Sequence, residues 1–447
     1  MSQNEPVQSH RTQFLTLFFI ILLSWSMTVV LGPMVSIIAK DFGLTNETNI
    51  GNISAAFLLV GGLFAFVWVA LENHVAQRWQ SSRKKLLMIA TFLAALGLLL
   101  TGVARSFELL FTFQMLTAIG FAAITPLSYS LAMDFTTPEN RAKTFGLLDV
   151  AASIGVGFGF LLSGILVDFT IWNIPFVILG MCGLFLVQAF LEFKEPPKGA
   201  SQVKTDRYQF TLTRGSFSLM LKKRANALIV LFNILLYMIS GSISYYFIRM
   251  LVNDHGFAPS LATLFFLATF SSQVAGTIFW TRRADKQYAR KRNGKIRVLL
   301  EGLLLGPIFL IAAYSLTFTI SNGVLFGIFT ILVILGTFCI AGLIAISFAT
   351  LGEINPPELW APIFSVNNLA QTVGRGIGIA VMGILFTSYG GVYQWGFAVM
   401  EGLSFIAVLF ILPLFTIVPH EANTLAILLN RRRIPINPQA TLPDRLL

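Results

Sequence analysis

Charge is scarce in this chain: 11% of its 447 residues are Asp, Glu, Lys or Arg, whereas soluble domains carry about a quarter. With 55% hydrophobic residues and a mean hydropathy of +0.77, that shortage excludes a water-soluble globule. Cysteine is scarcer still. Cys182 and Cys339 both fall in apolar segments of different halves, which excludes a disulfide framework and leaves two small buried side chains. The four histidines, His10, His74, His255 and His420, are scattered without metal-ligand spacing. No metal centre, no other cofactor and no membrane-embedded enzyme is therefore expected. A ring of identical charges or a filter loop, which a channel requires, is also missing.

What the chain has instead is long apolar runs. A bilayer core about 30 Å thick needs roughly 20 apolar residues per helix, and twelve such segments recur at about 13–37, 50–71, 85–103, 107–132, 143–167, 172–193, 225–251, 258–281, 296–318, 323–350, 361–388 and 393–417. The first has too few preceding basic residues, and lies too far from a small-residue cleavage site, to be a signal peptide, so it is expected to be retained. The formal net charge of +11 invites a nucleic-acid partner, but its placement argues for a membrane. Basic residues cluster in alternate loops: Arg78 with Arg83, Lys84 and Lys85; Arg141 and Lys143; Lys194 to Arg224; Arg282 to Arg297; and Arg431 to Arg433. This positive-inside pattern predicts both termini in the cytoplasm. Two sequons, at Asn46 and Asn52, fall in or beside the first external loop.

The stretch from Asp134 to Leu166 is written again 219 positions later, from Glu353 to Leu385. Pro138, Glu139, Ala142, Phe145, Ala151, Gly155, Gly157, Gly159 and Gly164-Ile165-Leu166 all recur. Asp41-Phe42-Gly43 answers Asp254-His255-Gly256 at an offset of 213, and Trp68 answers Trp280 at 212. An even six segments per half gives both copies the same topology, with the halves related by an axis along the membrane normal. The expected organisation is an N-terminus at 1–12, a six-helix bundle at 13–193, a cytoplasmic linker at 194–224, a second bundle at 225–417 and a cytoplasmic tail at 418–447.

Two six-helix bundles joined by a long polar linker resemble the major facilitator superfamily of secondary transporters. The family's loop motif between helices 2 and 3, Gly-x-x-x-Asp-Arg/Lys-x-Gly-Arg/Lys-Arg/Lys, is visible in the second half as Thr281-Arg-Arg-Ala-Asp285-Lys286, with Lys295 and Arg297 beyond. In the first half it is degraded: Val69 holds the glycine position, Asn73 the aspartate with Glu72 beside it, then Arg83-Lys84-Lys85. The loop Asp134-Phe-Thr-Thr-Pro138-Glu139-Asn-Arg141 also resembles the family, and its copy replaces Arg141 with Trp360. A carboxylate at a helix end facing basic residues can lock one orientation of a bundle. The gating candidates are thus Glu72, Asn73, Arg83, Asp134, Arg141, Asp285, Lys295 and Arg297, set against the plainer role of topology-setting charges or helix caps.

An ionisable residue inside a spanning helix costs at least about 2.5–3.5 kcal/mol, so it faces a cavity or a partner. Asp149, Glu301, Arg375 and Glu401 qualify, and Glu301 sits four residues after Arg297 near a helix end. Arg375 is deepest, and it replaces Val156 of the first copy. Positions seven apart on a helix differ by only about 20° in direction, so Asn368, Gln371 and Arg375 form one polar stripe. The resemblance implies that segments 5 and 11, with 1, 4, 7 and 10, line a central cavity. Those segments offer Trp25, Thr28, Gln114, Asn233, Tyr237 and Cys339, and segment 8 adds Gln273. Each is a substrate contact or an interhelical hydrogen-bonder. Glycines four apart, Gly155 with Gly159 and Gly374 with Gly378, are expected to let helices pack closely.

Two departures from the family narrow the mechanism. Gln114 stands where many proton-driven members carry arginine, and Gly155-Val-Gly157-Phe-Gly159 lacks the proline of the drug-antiporter signature. The expectation is an all-α, twelve-helix, multi-pass protein of the cell membrane, a monomer working by alternating access on a small solute. Arg375 is the expected anchor for an organic anion, with Asp149 and Glu401 as proton-coupling carboxylates. A facilitative uniporter, or a transport-inactive sensor or scaffold of the same fold, is the alternative.

Overall fold

In the absence of water every backbone N–H and C=O must be satisfied within its own segment, and the computed structural model is accordingly helical from end to end. It describes residues 7–43, 48–76, 82–167, 172–201 and 213–433. Asn46, Arg78 and residues 434–447 lie outside them. Among the described residues twelve helices are long and apolar enough to cross a membrane. The first half comprises α1 (Val7–Val29), a short α2 (Val35–Asp41), α3 (Thr48–Ala76), α4 (Ser82–Thr101), α5 (Phe107–Phe135), α6 (Arg141–Val167) and α7 (Ile174–Glu192). A linker helix α8 (Arg214–Lys222) leads to α9 (Arg224–His255), α10 (Pro259–Arg290), α11 (Gly294–Tyr314), α12 (Gly323–Ile340), α13 (Leu343–Ile354), α14 (Trp360–Ser388), α15 (Tyr393–Gly402), α16 (Ser404–Ile411) and α17 (Leu414–Arg433). Two spans are broken. Gly342, at φ 77°, splits the tenth into α12 and α13, and Leu403 separates α15 from α16 in the twelfth.

The duplicated sequence makes duplicated contacts. Trp68 Nε1 donates to Ile119 O at 2.7 Å, and its copy Trp280 donates to Phe338 O at 2.9 Å, tying α3 to α5 and α10 to α12. Gly159 packs α6 on α1, where a Cβ would lie 2.7 Å from Ser26 O. Gly378 packs α14 on α9 against Met238 O in the same way. Asp41 and Asp254, also copies, staple helix ends: Trp172 Nε1 donates to Asp41 Oδ2 at 2.8 Å, and Gln394 N to Asp254 Oδ2 at 2.8 Å.

The linker face is the end of the molecule that carries α8 and α17; the other end is the far face. One continuous buried apolar cluster spans both halves toward the linker face, from Leu17 and Tyr129 to Phe348 and Phe364. Toward the far face the core divides into separate clusters that stay within one half each, the larger ones around Trp172 and Phe176 in the first and Phe329 and Phe397 in the second. The halves are joined at the linker face and diverge from it.

The stretch expected as a tail continues as α17. Leu414, Val418, Ala422, Leu425 and Leu429 are buried at a spacing of three or four, one helical stripe turned toward the body. Glu421 holds Lys223 at 2.7 Å. Helix α10 also outruns its apolar segment, because its last turns carry Arg282, Arg283, Lys286 and Arg290 on an exposed helical extension.

Candidate functional site

Above the joined end, between the halves, lies a cavity of about 220 Å³. From the first half Trp25 of α1 and Asp149, Ser153 and Val156 of α6 line it; from the second, Tyr237 of α9, Gln273 of α10, Arg375 of α14 and Glu401 of α15. The Arg375 guanidinium lies 5.6 Å from the Trp25 ring and 5.7 Å from the Tyr237 ring, so one aromatic face from each half flanks it. Gly241 makes the room: a Cβ there would lie 2.6 Å from Arg375 Cγ. Arg375 and Asp149 are both half-buried. They face the same cavity without pairing, and among the described residues the ion pairs involve neither.

The cavity floor sits on the pseudo-two-fold axis, where a residue must meet its own copy. Three pairs 219 apart do so. Tyr129 and Phe348 have ring centroids 4.9 Å apart, Phe145 and Phe364 5.9 Å, and the Arg141 guanidinium lies 5.9 Å from the Trp360 ring. Tyr129–Phe145 at 4.7 Å and Phe348–Phe364 at 5.6 Å complete a four-ring plug.

Beneath the plug are two copies of a buried ion pair. Arg83 Nη1 holds Asp134 Oδ2 at 2.5 Å, and in the second half Lys295 holds Glu353. Their third partners differ. Lys295 also binds Asp285 Oδ1 at 3.3 Å, and Asp285 accepts the first free N–H groups of α6 in the other half, Ala142 N at 3.1 Å and Lys143 N at 2.7 Å. That is a carboxylate on a helix N-terminus, reinforced by Lys295 donating to Pro138 O at 3.0 Å.

Both parts of the mirror latch are altered. Asn73 stands for Asp285, and Pro362, which has no N–H, stands for Lys143. The linker takes up the groups left over. Arg83 Nε donates to Glu195 Oε1 at 2.8 Å, Lys198 Nζ to Glu72 Oε1 at 3.1 Å, and Gly199 N to Asp134 Oδ1 at 2.6 Å. Arg141 Nη2 reaches Ser201 Oγ at 3.1 Å.

The Major Facilitator Superfamily model matches residues 15–329 and 230–428. The chain belongs to the major facilitator superfamily. An uncharacterized MFS-type transporter, YceJ, of Bacillus subtilis is 23% identical over 394 residues, 86% of this chain and 90% of that one. Multidrug resistance protein 3 of the same organism is 27% identical over 173 residues, 36% of this chain and 33% of its own length. Among solved structures the Escherichia coli fucose:proton symporter FucP superposes with a TM-score of 0.69 at 16% identity, over 92% of this chain and 99% of that one. As a member of this superfamily the chain is a multi-pass membrane transporter of small molecules, not an enzyme.

Within that fold the expected residues separate into three groups. Trp25, Tyr237, Gln273, Asp149, Arg375 and Glu401 meet in the cavity. Gln114, Asn233, Asn368 and Gln371 do not line it. Gln114 is buried in the first half and donates to Thr101 Oγ1 at 3.3 Å; Asn233 donates to Asn367 Oδ1 at 2.7 Å and accepts from Ser347 at 3.0 Å. Asn368 and Gln371 are buried nearer the linker face. The gating set gathers at the linker face, except that Arg297 is exposed and pairs with Glu301 at 3.1 Å, which Arg283 also binds. Asn73 sits near the end of α3. Ser240 and Ser244, one face of α9 with Tyr237, also line the cavity, and their spacing in sequence signals it. Tyr314 and Ser404 line it too, and no pattern in the sequence marks them.

Proposed function

We propose that this transporter moves a small organic anion by alternating access, with Arg375 as its anchor. The observation that carries the reading is a guanidinium deep in a membrane helix, facing an inter-half cavity and making no ion pair among the described residues. A charge removed from water is costly unless paired, and a carboxylate-bearing solute supplies the pair in bidentate form. Trp25 and Tyr237 present apolar faces to the rest of the solute. Asp149, on the opposite wall, is the counter-charge that Arg375 meets when the empty cavity contracts, so solute and Asp149 compete for one cation.

The basic linker face is assigned to the cytoplasm by its charge. The plug and the Asp285 latch then close the cytoplasmic side, and the arrangement is the outward-facing one. Opening inward requires the plug pairs and the latch to part. Proton coupling falls to the cavity carboxylates. Uptake of radiolabelled organic anions into proteoliposomes tests the anchor: Arg375→Ala is expected to weaken its affinity markedly. Uptake equal to the parent's, by folded protein, refutes the role.

A further inference from the structure

One cavity carboxylate is buried with almost no polar company. Glu401 is 1% exposed; its Oε1 accepts no hydrogen bond, and Oε2 accepts only Ser404 Oγ at 3.4 Å. It stands one residue before the end of α15, at the break in the twelfth span. Discontinuous membrane helices recur as ion sites because they expose unpaired polar groups at depth. A second observation is the cavity itself, which runs from Arg375 and Asp149 past α9 to Glu401, Tyr314 and Ser404.

The groups that face Glu401 are few. Helix α9 presents Tyr237, α11 presents Tyr314, α14 presents Arg375, α16 presents the Ser404 hydroxyl, and Asp149 of α6 faces it across the cavity. Tyr246 and Asp254 lie farther out, against Tyr393 and Gln394 at the start of α15. None makes an ion pair with Glu401 among the described residues. A metal cation takes a shell of about six oxygens or more, which one carboxylate and two hydroxyls do not provide. A proton needs only the carboxylate.

We propose that Glu401 is the proton-binding site of this transporter, and that its protonation permits the cavity to close toward the far face. Glu401 is already shut off from water here, an environment that suits its neutral form; charged, it has to draw water in and hold the cavity between α9, α11 and α15 wider, whereas neutral it tolerates the apolar wall and lets it close. The role of Asp149 is then as counter-charge to Arg375. What the proton drives rests on the carrier reading above, but its binding and the closure require no solute.

The test uses spin labels at Val103→Cys and Val324→Cys, which are 63% and 74% exposed on the far face of the two halves. Cys182, expected from the sequence to be buried like Cys339, is exposed, and Cys182→Ser removes its thiol. In lipid nanodiscs without solute, the distance between labels is expected to shorten on acidification. Glu401→Gln is expected to hold the short distance at every pH, whereas Glu301→Gln, which neutralises a carboxylate outside the cavity, keeps the transition. Glu401→Asp retains a carboxyl and is expected to keep the transition at a shifted midpoint, which a misfolded protein does not. The proposal is overturned by a pH-dependent closure that survives in Glu401→Gln, by its loss in Glu301→Gln or Glu401→Asp, or by sodium replacing acid. If Arg375→Ala leaves anion uptake unchanged, the solute reading fails while this result stands.

Discussion

Phe364→Ala removes a ring that, like Tyr129, meets two rings across the pseudo-two-fold axis. Its centroid lies 6.1 Å from Tyr129 and 5.9 Å from Phe145 in the opposite half, and 5.6 Å from Phe348 in its own. Only the first two pairs must separate when the linker face opens, since the third stays within one rigid half. Aromatic pairs contribute about 0.5–1.5 kcal/mol each beyond area burial, so the closed linker face loses about 1–3 kcal/mol relative to the open one. That shifts the population roughly 5- to 150-fold toward the linker-open state. The far-face distance between labels at Val103→Cys and Val324→Cys, measured at fixed pH, is expected to shift to its shorter population. Phe364→Leu, which retains apolar volume, is expected to shift it less. An unchanged distribution in folded Phe364→Ala refutes the plug as a determinant of state.

The latch and the linker give further tests. Asp285→Asn removes a charge from the α6 N-terminus and from Lys295; with charged hydrogen bonds worth about 1.5–3 kcal/mol, it is expected to produce the same linker-open shift. Asn73→Asp alone is expected to favour the closed linker face only weakly, because Ala361 keeps its N–H but Pro362 offers none; combined with Pro362→Ala it rebuilds the second latch and favours that face more strongly. Arg83→Ala leaves Asp134 and Glu195 without their cation, and breaking a buried pair costs about 3–5 kcal/mol. A marked drop in detergent melting temperature is expected, and a drop no larger than for an exposed residue such as Arg297 contradicts the stabilising role of the Arg83–Asp134–Glu195 cluster. Gly241→Ala drives a Cβ into Arg375 Cγ, so anion binding is expected to weaken with the charge intact; unchanged affinity means that Arg375 does not need its present position.

Helix number, the repeat and the close-packed glycines were legible because each is written as a spacing. The plug is legible in the same way once the axis is recognised: Tyr129 with Phe348, Phe145 with Phe364 and Arg141 with Trp360 are one offset apart. Depth is what spacing leaves out. Asn368 shares a direction with Arg375 but lies seven residues nearer the linker face, about 10 Å along the helix. There the halves already touch, with Ser365 Oγ 3.5 Å from Ala65 O. The polar stripe therefore runs out of the cavity and into the floor. Gln114 and Asn233 turn inward for a different reason. A buried amide needs partners wherever it stands, and Thr101, Asn367 and Ser347 supply them within one half. The one-sided latch left a trace in Pro362, a missing donor opposite a missing acid. The use of the linker as its replacement did not, because Glu195, Lys198 and Gly199 act from a segment with no counterpart in the repeat.

Anion uptake by Arg375→Ala and Arg375→Lys beside the parent, in proteoliposomes with matched protein content, tests the central claim most directly. Losing a charged, bidentate grip worth about 1.5–3 kcal/mol predicts roughly 10- to 150-fold weaker binding in the alanine variant. Lysine, a single-point cation, is expected to restore part of it. Saturable uptake at the parent's affinity in Arg375→Ala contradicts the account.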